Sequence, residues 1–136
     1  MLTGPRRAGK TTLLRRLFPQ AQYFLLEEPD LVARLRADPQ GFINALKPPV
    51  ILDEVQNVPE AFAYVRARID RYPRRTGQWL LTGSHEAPLM QGAVESMAGR
   101  AAVLQLLPLA VRESPKFSIL TGGYPEILAR PSVARI

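Results

Sequence analysis

The stretch at residues 4–11, GPRRAGKT, matches the phosphate-loop pattern G-x-x-x-x-G-K-[ST] and constrains the fold more than any other part of the chain. Such a loop belongs between a strand and a helix. Its backbone N–H groups wrap round phosphate oxygens, where a Cβ on the glycines would obstruct them. The helix that follows aims its positive end at the same anion. The pattern assigns Gly4, Pro5, Arg6, Arg7, Ala8, Gly9, Lys10, Thr11 and Thr12 to nucleotide binding. Lys10 is expected on the β- and γ-phosphates and the Thr11 hydroxyl on Mg²⁺, with Arg6 and Arg7 adding positive potential. Only Met1, Leu2 and Thr3 precede the loop, so its strand is expected to be truncated.

Downstream the apolar spacing alternates between two periods. Leu13, Leu14, Leu17 and Phe18 recur as on a helix until Pro19 stops the pattern. Residues 22–26 form a short apolar strand, and Pro29 suits the start of a helix carrying Leu31, Val32 and Leu35. A second short helix carries Phe42, Ile43 and Leu46. Residues 48–54 read as a buried strand ending in two carboxylates. Pro59 opens a helix with Phe62, Val65, Ile69 and Tyr72 on one face, and residues 78–83 form another strand. Leu89, Met90, Ala93, Val94 and Met97 mark a helix that Gly99 can cap, and residues 102–107 form the last strand. Beyond Val111 the signal fades. Residues 122–126, GGYPE, read as a turn with no helix after it. Strands alternating with helices, with little polar alternation inside the strands, predict a three-layer α/β/α sandwich. Its sheet should be mostly parallel, as in phosphate-loop NTPases.

The acidic pair supplies the next candidates. Mg²⁺ is a hard, octahedral ion that takes carboxylate oxygen directly or through water, and Asp53 ends a strand that should lie beside the loop. Glu54 follows it, placed to polarise a water for attack on a γ-phosphate. The competing reading is a solvent-facing acidic turn. Residues 80–84, LLTGS, bring Thr82 or Ser84 to the same end of the sheet, where either could sense phosphate or orient water. His85, the only histidine, is either structural or a direct participant. Arg100 sits between a helix end and a strand start, at the sheet edge opposite the nucleotide. It is therefore either a surface or capping arginine or an arginine finger acting in trans on a neighbouring subunit.

Composition narrows the alternatives. The 136 residues contain no cysteine, which excludes disulfides, thiolate metal sites and cysteine nucleophiles. No run approaches the roughly 20 apolar residues of a membrane span, and no signal-peptide core opens the chain, so a cytoplasmic place is the default. The net charge of +6 makes nucleic acid a conceivable partner. The densest basic group is Arg66, Arg68, Arg71, Arg74 and Arg75, and no DNA-reading motif accompanies it.

Taken together, GPRRAGKTTLL, VILDEVQNVPE, LLTGSHEAPL, ESMAGRAAVLQLLPL and GGYPE resemble the prokaryotic AAA-like ATPases that usually carry a C-terminal nuclease-like domain. The resemblance implies an ATP- and Mg²⁺-dependent ATPase core over residues 1–110. Residues 111–136 would then be a remnant of the connection to that further domain. Lys10 and Thr11 match its Walker A residues, Asp53 and Glu54 its Walker B residues, and Ser84 its sensor-like block. Arg100 matches the finger-like arginine, which implies a homo-oligomer. Set against this are the short first strand and the weak C-terminal third, which fit a truncated, non-catalytic module that binds nucleotide or a partner.

Overall fold

The structure is a computed structural model and describes residues 1–84, 95, 97–118 and 122–130. Its centre is β3 (Val50–Asp53), four residues that are all buried. On one side lies β2 (Gln22–Leu25), and on the other β4 (Trp79–Ser84), β1 (Leu2–Gly4) and β5 (Leu104–Gln105) in turn. The order β2-β3-β4-β1-β5 is parallel at every pairing, so the sheet is wholly rather than mostly parallel.

The period of two along each strand divides the core. Phe24, Val50, Leu52 and Leu81 point to one face, where α2 (Pro29–Ala37), α3 (Pro39–Ala45) and α4 (Ala61–Arg71) supply Leu35, Ile43, Phe62 and Val65. Leu2, Tyr23, Ile51, Leu80 and Leu106 point to the other face, covered by Leu14 and Phe18 from α1 (Lys10–Leu17) and the residue after it. These two layers of helices, one on each side, make the three-layer sandwich. Each fully buried aliphatic such as Ile51 or Leu52 contributes about 1.5–3 kcal/mol relative to exposure.

Several local expectations are corrected. The helix after the loop does not bury all its leucines: Leu13 is 37% and Leu17 61% exposed. Its inward stripe is Lys10, Leu14 and Phe18, at i, i+4 and i+8, and Leu13 and Leu17 lie off that stripe. The last strand is two residues long, not six, and Leu104 on it is 63% exposed. A one-turn helix, α5 (Pro125–Leu128), begins inside the GGYPE stretch, where only a turn was expected; Pro125 at its start pre-sets the backbone and Leu128 is buried. The expected helix face of Leu89, Met90, Ala93 and Val94, like His85, lies outside the described residues.

The short first strand is a central one. All three of its residues are buried, and it pairs with β4 through Leu2↔Thr82, Thr3↔Gly83 and Gly4↔Ser84. On its other side it pairs with β5. Gly4 has φ 141°, and a Cβ there would lie 2.0 Å from the Leu106 carbonyl oxygen. Leu106 N–H in turn donates to Thr3 O at 2.8 Å. The first glycine of the loop is therefore demanded by strand packing as well as by any phosphate.

Candidate nucleotide site

The loop leaves β1 at Gly4 and turns through Arg7, which has φ 62°, to Gly9, which caps α1 at φ 96°. The turn carries Lys10 inward. Its ammonium group donates to Gly4 O at 3.0 Å and Pro5 O at 2.8 Å, and the residue is only 4% exposed. An ammonium has three protons, so one donor remains beyond those two bonds. Burial pulls the Lys10 pKa below the usual lysine value; attraction from Glu54 and Asp53 opposes the shift, and Arg6 adds to it. Arg6 and Arg7 stay exposed on the loop, near Glu27 at 3.9 Å and Glu126 at 3.1 Å respectively. Thr12 is exposed on α1, and Ala8 is buried beneath the loop.

The carboxyl end of β3 brings the acidic pair to the same place. Asp53 is 2% exposed. Its Oδ2 accepts from the Thr11 hydroxyl at 2.7 Å and from the Tyr23 hydroxyl at 2.7 Å. Its Oδ1 accepts from the Thr82 hydroxyl. Burial raises the Tyr23 pKa above the ordinary tyrosine value, reinforced by its hydrogen bond to Asp53 and that carboxylate's charge. Glu54 adopts the left-handed conformation, φ 58° and ψ 47°, which is uncommon outside glycine. Its N–H donates to Thr82 Oγ1 at 3.1 Å, and its Oε2 accepts from the Gln56 amide. A strained backbone held by such partners is a feature of functional sites. Ser84 ends β4 in register with Gly4, at the mouth of the loop.

Thr11, Asp53, Glu54, Lys10 and Ser84 thus converge at the carboxyl edge of the sheet. Arg100 does not join them. It lies with Met1, Trp79 and Ala102 around a cavity at the amino ends of the strands, and its Nε donates to Asp70 Oδ1 at 2.6 Å. That hydrogen bond holds the Asp70 carboxyl below its usual range and raises the guanidinium. Tyr23, Gln56 and Glu126 went unnoticed in the sequence. Tyr23 carried one available signal: it is the member of the 22–26 run that places a hydroxyl one strand away from Asp53.

The oxygen donors suit a magnesium ion. Thr11 Oγ1 and Asp53 are hard ligands, and no group of three or more His, Asp or Glu side chains among the described residues could cage a cation alone. Mg²⁺ in phosphoryl-transfer sites takes one or two protein oxygens and fills its other positions with phosphate and water.

A family model described as "AAA domain" matches residues 1–114. The chain belongs to this AAA domain family. Two relatives, uncharacterized proteins of Mycobacterium bovis and Mycobacterium tuberculosis, are each 39% identical over 131 residues. The match covers 92% of this chain but 29% of either relative, so this AAA domain spans less than a third of their length. By family it is a nucleotide-binding, ATPase-like module. No helix among the described residues is long and apolar enough to cross a membrane.

Proposed function

We propose that this AAA domain binds ATP with Mg²⁺ and hydrolyses it to ADP and phosphate, with oligomerisation needed for full rate. The observation that carries the reading is the Thr11–Asp53 hydrogen bond of 2.7 Å, which joins the loop helix to the end of β3. Two oxygens that would share a metal ion lie within hydrogen-bond distance of each other. When bound, Mg²⁺ would supply charge neutralisation across the β- and γ-phosphates.

The chain's own residues supply the rest. Lys10 turns its remaining donor to phosphate. Glu54 accepts a proton from the attacking water as its oxygen bonds to the γ-phosphorus and the bond to the β–γ bridging oxygen breaks. Gln56 fixes the Glu54 carboxylate through its amide, and Ser84 stands beside the loop as the sensor. Arg100, at the far edge of the sheet, would reach the nucleotide of a neighbouring subunit once released from Asp70. We place the catalytic core at residues 1–110 and read 111–136 as a connection. The nuclease-like domain implied by the resemblance would lie in the part of the relatives outside the match, and the assembly would be prokaryotic and cytoplasmic.

Glu54→Gln should keep ATP affinity and reduce turnover by about 10²–10⁴-fold, the usual range for a lost general base. Unchanged turnover would remove Glu54 from the mechanism. Mixing Glu54→Gln with Arg100→Ala chains tests the trans arrangement. Each alone should be nearly inactive, and mixed oligomers should regain activity; failure to regain it would return Arg100 to a structural role.

A further inference from the structure

The five arginines between positions 66 and 75 take no part in the nucleotide site. We infer that the outer face of α4 and the turn after it form a binding groove for single-stranded nucleic acid. Its residues lie outside the nucleotide site, and it shares with the proposed hydrolysis only the Arg100–Asp70 pair.

Three observations carry the inference. The first is charge without partners. Asp70 is taken by Arg100, and among the described residues none of Arg68, Arg71, Arg74 and Arg75 has a carboxylate within ion-pair distance. The negative end of α4 accounts for cations in its last turn, Arg68 and Arg71, but Arg74 and Arg75 lie beyond the helix. The second is an aromatic platform. Tyr72 is 43% exposed, and the guanidinium carbons of Arg68 and Arg75 lie 5.5 and 5.1 Å from its ring centroid. Both guanidinium groups lie over the ring, so a base would stack on a guanidinium plane as well as on Tyr72, with the arginine charge beside its phosphate.

The third is concave space along the same line. A cavity of about 420 Å³ between α3 and α4 is lined by Ile43, Ala63, Tyr64 and Ala67, with Gln40 and Asn44 as amide-bearing edges. Its volume falls in the range of small-ligand pockets. Arg68 also borders a second recess, which Tyr72, Arg75, Gln78 and Trp79 line. The second recess, which Pro48, Gln78 and Trp79 border, sits at the amino ends of β3 and β4, whereas Asp53 and Ser84 sit at their carboxyl ends. The two sites are at opposite edges of the sheet.

A purely acidic chain such as polyglutamate would satisfy the charge but not the ring and the apolar cavity. A duplex keeps its bases stacked away from both. An unpaired strand satisfies all three, with phosphates on arginine and bases on Tyr72 and in the cavity.

Fluorescence anisotropy of the full chain with a labelled oligo-dT of about twenty nucleotides tests this, beside a duplex of equal length and polyglutamate. With about four phosphates engaged, raising salt from about 50 to about 200 mM should weaken binding about 50-fold. Arg68→Glu with Arg75→Glu should lower affinity at least about tenfold at the lower salt. Tyr72→Ala should lower it about 5- to 160-fold while Tyr72→Phe retains it. Equal affinity for duplex or polyglutamate would overturn the proposal. So would single-strand binding that neither the arginine pair nor Tyr72→Ala alters in variants whose circular dichroism matches the parent.

Discussion

Thr82→Val replaces a hydroxyl by a methyl group of the same shape at a position with 0% exposure. In the structure that hydroxyl donates to Asp53 Oδ1 and accepts from Glu54 N–H at 3.1 Å. The substitution therefore leaves a buried carboxylate oxygen without its donor and a partly buried N–H without its acceptor. A hydrogen bond to a charged group contributes about 1.5–3 kcal/mol, and an orphaned N–H costs about 1–3 kcal/mol. The easier burial of a methyl group offsets part of this, which leaves about 3 kcal/mol. Unfolding entropy of about 2 cal/mol/K per residue then puts the fall in Tm at about 10 °C for a chain of this size. Thr82→Ser keeps both hydrogen bonds and loses one methyl, so it should cost only about 1 kcal/mol. Thermal unfolding followed by circular dichroism separates the two. Nucleotide turnover should fall more in the valine variant, because Asp53 and Glu54 lose their common anchor. A valine variant as stable as the parent, or a serine variant that is worse, would refute this role for Thr82.

Gly4→Ala puts a Cβ 2.0 Å from the Leu106 carbonyl at a φ of 141° that side chains rarely adopt. Strain and overpacking together should cost about 2–6 kcal/mol, read as a lowered denaturation midpoint even without nucleotide; a loss of nucleotide affinity with unaltered stability would contradict the packing argument. Tyr23, with its raised pKa, should ionise later than an ordinary tyrosine during alkaline absorbance titration, and Tyr23→Phe should remove that late component. The sign for stability follows: the fold holds this proton more tightly than the unfolded chain, so Tyr23 stabilises below the ordinary tyrosine pKa and that contribution fades as pH rises above it. Tyr23→Phe should show no such alkaline loss from this position, measurable as denaturant midpoints on either side of about pH 10.

Much of the architecture was legible because burial on both faces of a parallel strand leaves a plain signature. VILD at β3 is fully buried as read, and the strand-to-helix junction at the phosphate loop follows from its glycines. What sequence could not show is which face of a helix turns inward. Leu13 and Leu17 look like core, yet the inward turn of Lys10 makes Lys10, Leu14 and Phe18 the packed stripe. Hydrogen bonds between distant strands were equally hidden. Thr82 reads, with Ser84, as a strand-end residue able to sense phosphate or orient water; that its hydroxyl is held between Asp53 and Glu54 emerges only once β4 is set beside β3. Tyr23 reads as one more apolar strand residue until the pairing Leu25↔Asp53 sets β2 against the acidic strand. The close approach of Leu106 to Gly4, and the hydrogen bond from Leu109 to Gly123, are also products of tertiary packing. They link three sequence blocks that no local pattern connects.

We propose that the loop, Lys10 and the Thr11–Asp53 pair form an assembled nucleotide site above a three-residue strand. Titration of the chain with a fluorescent ATP analogue and Mg²⁺, beside Lys10→Ala, tests it most directly. Saturable binding to the parent and loss of binding in a folded Lys10→Ala variant are expected. A folded parent chain that binds no nucleotide, or binding that Lys10→Ala leaves unchanged, would contradict it.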